Sequence, residues 1–265
     1  MNPTYYRLLL ASILWSIFSL SVQAQQPQAT AIDPTCSQIV QSEKPQNLLI
    51  LFPGYSVQLH WAEQWAYALS QEQPIHDTFD HILIFKGPKE VFYEGKELNT
   101  KKAIEILSQH HYQNITVVAH SSGSFPAHVF FQQILDTPAL HQKLTHKITY
   151  YNLDGGIGKK DTAYTTAMNR LLKKGISVSV YDSITQSYSA NHESMIAFEK
   201  QFPDSFEHIT LNVDSGCDKN AQWCLHDVVI NLRPHNNTTF DLKKDYTLFG
   251  VEHPLSIEWM IFNEE

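Results

Sequence analysis

The stretch best built for chemistry is Ala119-His-Ser-Ser-Gly123, which follows the β-branched run Ile115-Thr-Val-Val118 and precedes the amphipathic segment Phe125 to Leu135. A small-x-Ser-x-Gly sequence between a strand and a helix lets the chain turn abruptly and leaves the serine oxygen at the tip of the turn. Ala119 stands where the usual pattern has glycine, at a position that needs a small side chain more than it needs glycine. The N-terminus of the following helix would stabilise an anion at Ser121. The chemistry expected of such a site is attack by a serine oxygen on a carbonyl carbon.

A serine hydroxyl is a poor nucleophile at neutral pH, so Ser121 needs a base within hydrogen-bond reach and an acid to orient that base. The chain order to look for is serine, then acid, then histidine. Two carboxylates close strand-like segments downstream: Asp154, in Asn152-Leu-Asp-Gly-Gly156, and Asp182, in Val180-Tyr-Asp-Ser183. Asp154 is preferred because its two glycines permit a sharp turn into a site; Asp182 is the alternative acid, and either could instead cap a helix. The base is expected at His226, with His235 and His253 in reserve. The oxyanion requires backbone donors, expected from the N–H of Ser122 and from Tyr55 in Pro53-Gly-Tyr-Ser56. His60 and Trp61 could line a pocket, although an aromatic stripe at helical spacing usually belongs to a core.

These residues need a scaffold, and hydrophobic periodicity supplies one. Strands are expected at 47–52, 81–85, 115–118, 147–153, 175–181 and 208–213. Helical signals fall between them at 61–69, 100–110, 125–135, 163–174 and 192–201, while 157–174 has a surface-like character. Gln25 to Gln46 reads as a polar, loosely patterned lead. Strands that alternate with helices predict an α/β fold: a mostly parallel sheet covered on both faces, with ligands at the carboxyl ends of the strands.

Arg7 followed by the apolar run Leu8 to Val22 and the small residue Ala24 reads as a signal peptide over 1–24. That run is shorter than the roughly 20 residues that span a bilayer. The remaining 25–265 form one expected domain with an N-terminal extension, secreted or periplasmic, with no stable membrane span after cleavage. A net charge of −8 and the absence of a Lys/Arg stripe argue against a nucleic-acid partner. Fourteen histidines and three cysteines show no metal-ligand spacing, so no metal and no cofactor is expected. Cys217 and Cys224 form the expected disulfide, which would clamp the loop two residues before His226 and leave Cys36 as a spare thiol.

Over roughly 47–235 the chain resembles the α/β-hydrolase superfamily, through Phe52-Pro-Gly-Tyr55, the elbow Ala119 to Gly123 and a late histidine. Locally, Leu153-Asp-Gly155 and Cys224-Leu-His226 are similar to lipases of the pancreatic type. That family takes its acid from the strand after the elbow, in Leu-Asp-Pro, and its histidine from Cys-x-His. The resemblance implies the α/β-hydrolase fold, a triad of Ser121, Asp154 and His226, and a small-molecule or lipid ester as substrate. Peptidase or thioesterase chemistry on the same triad, and a non-catalytic envelope binding protein of the same fold, are the competing expectations.

Overall fold

The computed structural model describes residues 29–211, apart from 72, 92–93, 156–161 and 184–191. The expected signal peptide, the cysteines Cys217 and Cys224, and the histidines His226, His235 and His253 lie outside the described residues.

Eight strands form one sheet: β1 (Thr30–Asp33), β2 (Cys36–Val40), β3 (Asn47–Phe52), β4 (His81–Phe85), β5 (Asn114–His120), β6 (Ile148–Leu153), β7 (Ser177–Ser183) and β8 (Phe206–Leu211). Their order is β1-β2-β4-β3-β5-β6-β7-β8. β2 runs antiparallel to β1 and β4, and β4, β3, β5, β6, β7 and β8 are parallel to one another. The helices are α1 (Leu59–Gln71), α2 (Gln73–Thr78), α3 (Thr100–Gln109), α4 (Ser124–Asp136), α5 (Pro138–Leu144), α6 (Thr162–Lys173) and α7 (His192–Gln201). Among the described residues, no helix is long and apolar enough to cross a membrane.

The central strands read as continuous apolar runs because both of their faces are buried. In β3, Leu48, Ile50 and Phe52 join the core shared with α3, α4 and α6, whereas Leu49 and Leu51 join the core under α1. Phe52 stacks on Phe85 of β4, with ring centroids 4.7 Å apart, and leans on Phe130 of α4. The end of β3 is therefore anchored from two directions just before the loop that reaches the site.

Two expectations need correction. The lead up to Gln46 is not loosely patterned, since it contains β1 and β2, and Cys36 and Ile39 of β2 are fully buried. Its polar residues hid the strand because each finds a partner far along the chain. Ser37 donates to Glu63 of α1, and the Gln38 carboxamide oxygen lies 3.0 Å from His81 Nε2. Cys36 is a free thiol, and burial pushes its pKa up. The stretch read as surface-like is also half core, because α6 buries Tyr164, Met168, Leu171 and Leu172 along one face. Two short helices, α2 and α5, went unread.

Candidate active site

The strand order reverses direction between β3 and β5: the chain leaves β3 toward β4 on one side and returns to β5 on the other. Open α/β sheets bind ligands at such a crevice, outside the carboxyl ends of the strands. Gly54 and Ser121 meet there.

Ser121 begins a single 3-10 turn, Ser121–Gly123, placed between β5 and α4. Its φ is 53°, in the left-handed region that costs a non-glycine residue about 1–2 kcal/mol. The surrounding packing leaves little alternative. A Cβ on Gly123 would lie 2.2 Å from the carbonyl oxygen of Phe52 and 2.5 Å from that of Pro53, so the turn presses directly on the end of β3. Ala119 sits fully buried between Phe52 and Asn152 in the ladder, which accounts for the small residue at that position. The Ser124 hydroxyl donates to the Ser121 carbonyl oxygen at 2.9 Å and ties the turn to the first residue of α4. Sequence reasoning missed Ser124; its place at a helix start was the available signal.

The loop after β3 closes over the serine. A Cβ on Gly54 would stand 3.1 Å from Ser121 Cβ and 3.2 Å from His120 Nδ1, so the backbone at Gly54 lies against the elbow. This loop is held from behind by the segment after β4. Ser56 N–H donates to the Pro88 carbonyl at 2.8 Å, Gly87 N–H donates to the Val57 carbonyl at 2.8 Å, and a Cβ on Gly87 would meet the Gly54 oxygen at 1.9 Å. Ser56 also has a left-handed backbone, at φ 60°. Tyr55 is 52 % exposed at the tip of the loop. Of the proposed pocket aromatics, His60 is exposed and Trp61 half-buried, whereas Trp65 and Leu69 on the same helix are core.

Asp154 lies in the next strand connection. His120 pairs with Leu153, so Ser121 and Asp154 each follow the last paired residue of neighbouring strands. Asp154 is buried and left-handed at φ 49°, the third and last non-glycine residue with positive φ among the described residues. All three therefore stand at the same end of the sheet. Asp182 differs from its expected place. It does not close its strand but remains within β7, in register with Thr210 of β8. The pairing with β8 extends β7 past the apolar run on which the expected end was based.

Behind Asp154 lies a polar cluster that the sequence did not reveal. The Asn152 carboxamide oxygen accepts from Gly155 N–H at 3.0 Å, and its nitrogen donates to the Tyr164 hydroxyl of α6. Tyr164 stacks on His128 of α4 with ring centroids 4.9 Å apart, and burial pushes the His128 pKa down to about 4. The signal available was a carboxamide two residues before an aspartate in an otherwise apolar strand.

No protein-family model and no curated protein matches the sequence. Among solved structures, a ferulic acid esterase is similar over 71 % of this chain and 91 % of its own, with 9 % identity and a TM-score of 0.48. A fluorophosphonate-binding serine hydrolase of Staphylococcus aureus is similar over 69 % of this chain and 88 % of its own, with 8 % identity and a TM-score of 0.47. The sheet order, the antiparallel β2 and the left-handed serine between β5 and α4 are those of the α/β-hydrolase fold.

Proposed function

We propose that the chain is a secreted or periplasmic serine hydrolase that cleaves carboxylic esters through Ser121, Asp154 and His226. The observation that carries this reading is the left-handed Ser121 at the switch point of the sheet, with Gly54 against its Cβ and the Asp154 turn beside it. Backbone strain of this kind persists only where packing enforces it, and it concentrates at active sites.

In the reaction, His226 removes the proton of the Ser121 hydroxyl as its oxygen bonds to the ester carbonyl carbon. The carbonyl oxygen becomes an oxyanion, which accepts hydrogen bonds from the N–H groups of Ser122 and Tyr55. Collapse of the tetrahedral intermediate breaks the carbon–oxygen bond to the alcohol, which leaves with the proton held by His226. Water then attacks the acyl-serine with His226 again as base, releasing the acid and restoring the hydroxyl. Asp154 keeps the imidazole in the tautomer that accepts from serine and stabilises its protonated form. The expected disulfide Cys217–Cys224 would steady the loop that carries His226.

Hydrolysis of p-nitrophenyl acetate and butyrate by the wild type and Ser121→Ala tests the reading. Loss of the hydroxyl should lower kcat by roughly 10⁴- to 10⁶-fold with the fold retained. Near-native turnover by Ser121→Ala would end it.

A further inference from the structure

We infer that Asn152 is a positioning residue: it fixes the turn that carries Asp154, and so sets where the acid stands relative to Ser121, with Tyr164 holding Asn152 in turn. The inference rests on Ser121 and Asp154 being nucleophile and acid, and it names a residue that neither the triad nor the oxyanion hole includes.

Asn152 is fully buried in β6, with Ala119 of β5 and Val180 of β7 as its cross-strand neighbours. An aliphatic side chain would pack in such a place without the cost of desolvating an amide, so a carboxamide needs a reason to be there. Both of its ends are used. The oxygen accepts from the backbone N–H of Gly155, closing a loop over Leu153 and Asp154, and the nitrogen donates to the hydroxyl of Tyr164. The enclosed residue Asp154 is the one held in a left-handed conformation. The side chain of Asn152 thus bonds across the strained residue to the one that follows it.

The same turn touches the nucleophile. A Cβ on Gly155 would lie 2.4 Å from the Asn152 carboxamide oxygen, 2.9 Å from the Ser121 carbonyl oxygen and 2.9 Å from Ser124 Cβ. Any slip of the Asn152–Gly155 bond therefore moves the acid turn against the elbow itself. This also explains why glycine follows the aspartate here, where the pancreatic-type lipase pattern has proline. Proline has no N–H to give, whereas this turn is shaped by an N–H that Asn152 accepts. Tyr164 reaches the cluster from α6 and keeps its ring stacked on His128, so removing only its hydroxyl would leave the aromatic packing in place.

The test is steady-state hydrolysis of p-nitrophenyl acetate, well below the thermal midpoint, by the wild type, Asn152→Leu, Tyr164→Phe, Asp154→Asn and the double variant Asn152→Leu/Asp154→Asn. Asn152→Leu should lower kcat roughly 10- to 100-fold with KM changed less than about twofold, as a small misplacement of a catalytic group does. Tyr164→Phe should move kcat the same way by roughly three- to tenfold. In the Asp154→Asn background, Asn152→Leu should add less than about twofold, because the group it positions is already gone. A lowered thermal midpoint with unchanged kcat, or losses that multiply in the double variant, would make Asn152 merely structural and overturn the proposal. If Asn152→Leu does not fold, Tyr164→Phe and its double with Asp154→Asn decide in the same way. Failure of the underlying reading looks different: Ser121→Ala would stay active, or Asp182→Asn rather than Asp154→Asn would be the damaging change.

Discussion

The sheet carries a buried polar cluster at each end of its parallel strands, and the two are built on opposite principles. At the amino ends, His81 opens β4 with both ring nitrogens engaged, Nδ1 at 2.7 Å from the Tyr112 hydroxyl and Nε2 at 3.0 Å from the Gln38 oxygen. Lys147 donates to the Tyr112 carbonyl at 2.9 Å, and the Asp80 carboxylate accepts the N–H groups of Gln46 and Asn47. No residue of that cluster has a left-handed backbone. At the carboxyl ends, Ser121, Asp154 and Ser56 are all left-handed, and three glycines stand where a Cβ would strike a neighbouring backbone or polar atom at 2.4 Å or less. A buried histidine with satisfied partners is architecture. Backbone strain around a crevice concentrates at active sites, and that contrast supports the proposed function more than any single residue type does.

The contrast can be attacked at several points. The largest effect is expected from the acid. Asp154→Asn should lower kcat by roughly 10³- to 10⁴-fold, whereas Asp182→Asn should cost less than about tenfold. The reverse ranking in ester-hydrolysis kinetics would move the acid to β7 and leave the left-handed Asp154 without a role. Gly123→Ala comes next, because its Cβ would fall 2.2 Å from the Phe52 oxygen. It should destabilise by about 1–3 kcal/mol and lower kcat roughly 100-fold, measured by denaturant unfolding and the same assay.

At the opposite end, stability and activity should separate. His81→Leu orphans the Tyr112 hydroxyl and the Gln38 oxygen and should cost about 1–3 kcal/mol with kcat unchanged. A pH dependence should touch stability alone. Burial, reinforced by His110, pushes the His81 pKa down to about 4, and burial does the same to His128. Both histidines are therefore neutral in the fold and bind protons more readily when unfolded. Their contribution is complete above about pH 6.5 and declines as pH falls toward 4, by up to about 1.4 kcal/mol per unit for each. Thermal midpoints between pH 7.5 and 4.5 should fall with acid, less steeply in His81→Leu than in the wild type. Parallel curves would show that His81 does not titrate as its burial requires.

Much of the fold was legible because the central strands are buried on both faces and announce themselves as apolar runs, as in Leu48-Leu-Ile-Leu-Phe52. β2 was not legible, since Ser37 and Gln38 owe their burial to Glu63 and His81, residues more than 25 positions away. The elbow could be read from five residues because small-x-Ser-x-Gly between a strand and a helix is itself a recurring pattern, although the atoms that require Gly123 belong to Phe52 and Pro53, far away in the chain. The places of Asp154 and Asp182 could not be told apart, because the distinction between a strand's last residue and one still in the ladder depends on β8. The partners of Asn152 could not be read for the same reason: its meaning lies in Gly155 and Tyr164, and a carboxamide in a mostly apolar strand does not say which groups it meets.

The proposed function requires the strained serine at the switch point to be chemically activated. Incubation of the folded, purified protein with a fluorophosphonate, followed by peptide mass spectrometry, reads this directly. One covalent adduct is expected, on Ser121, absent from Ser121→Ala and formed far more slowly in Asp154→Asn. An unlabelled Ser121 in the folded protein, or an adduct on another serine, would contradict it.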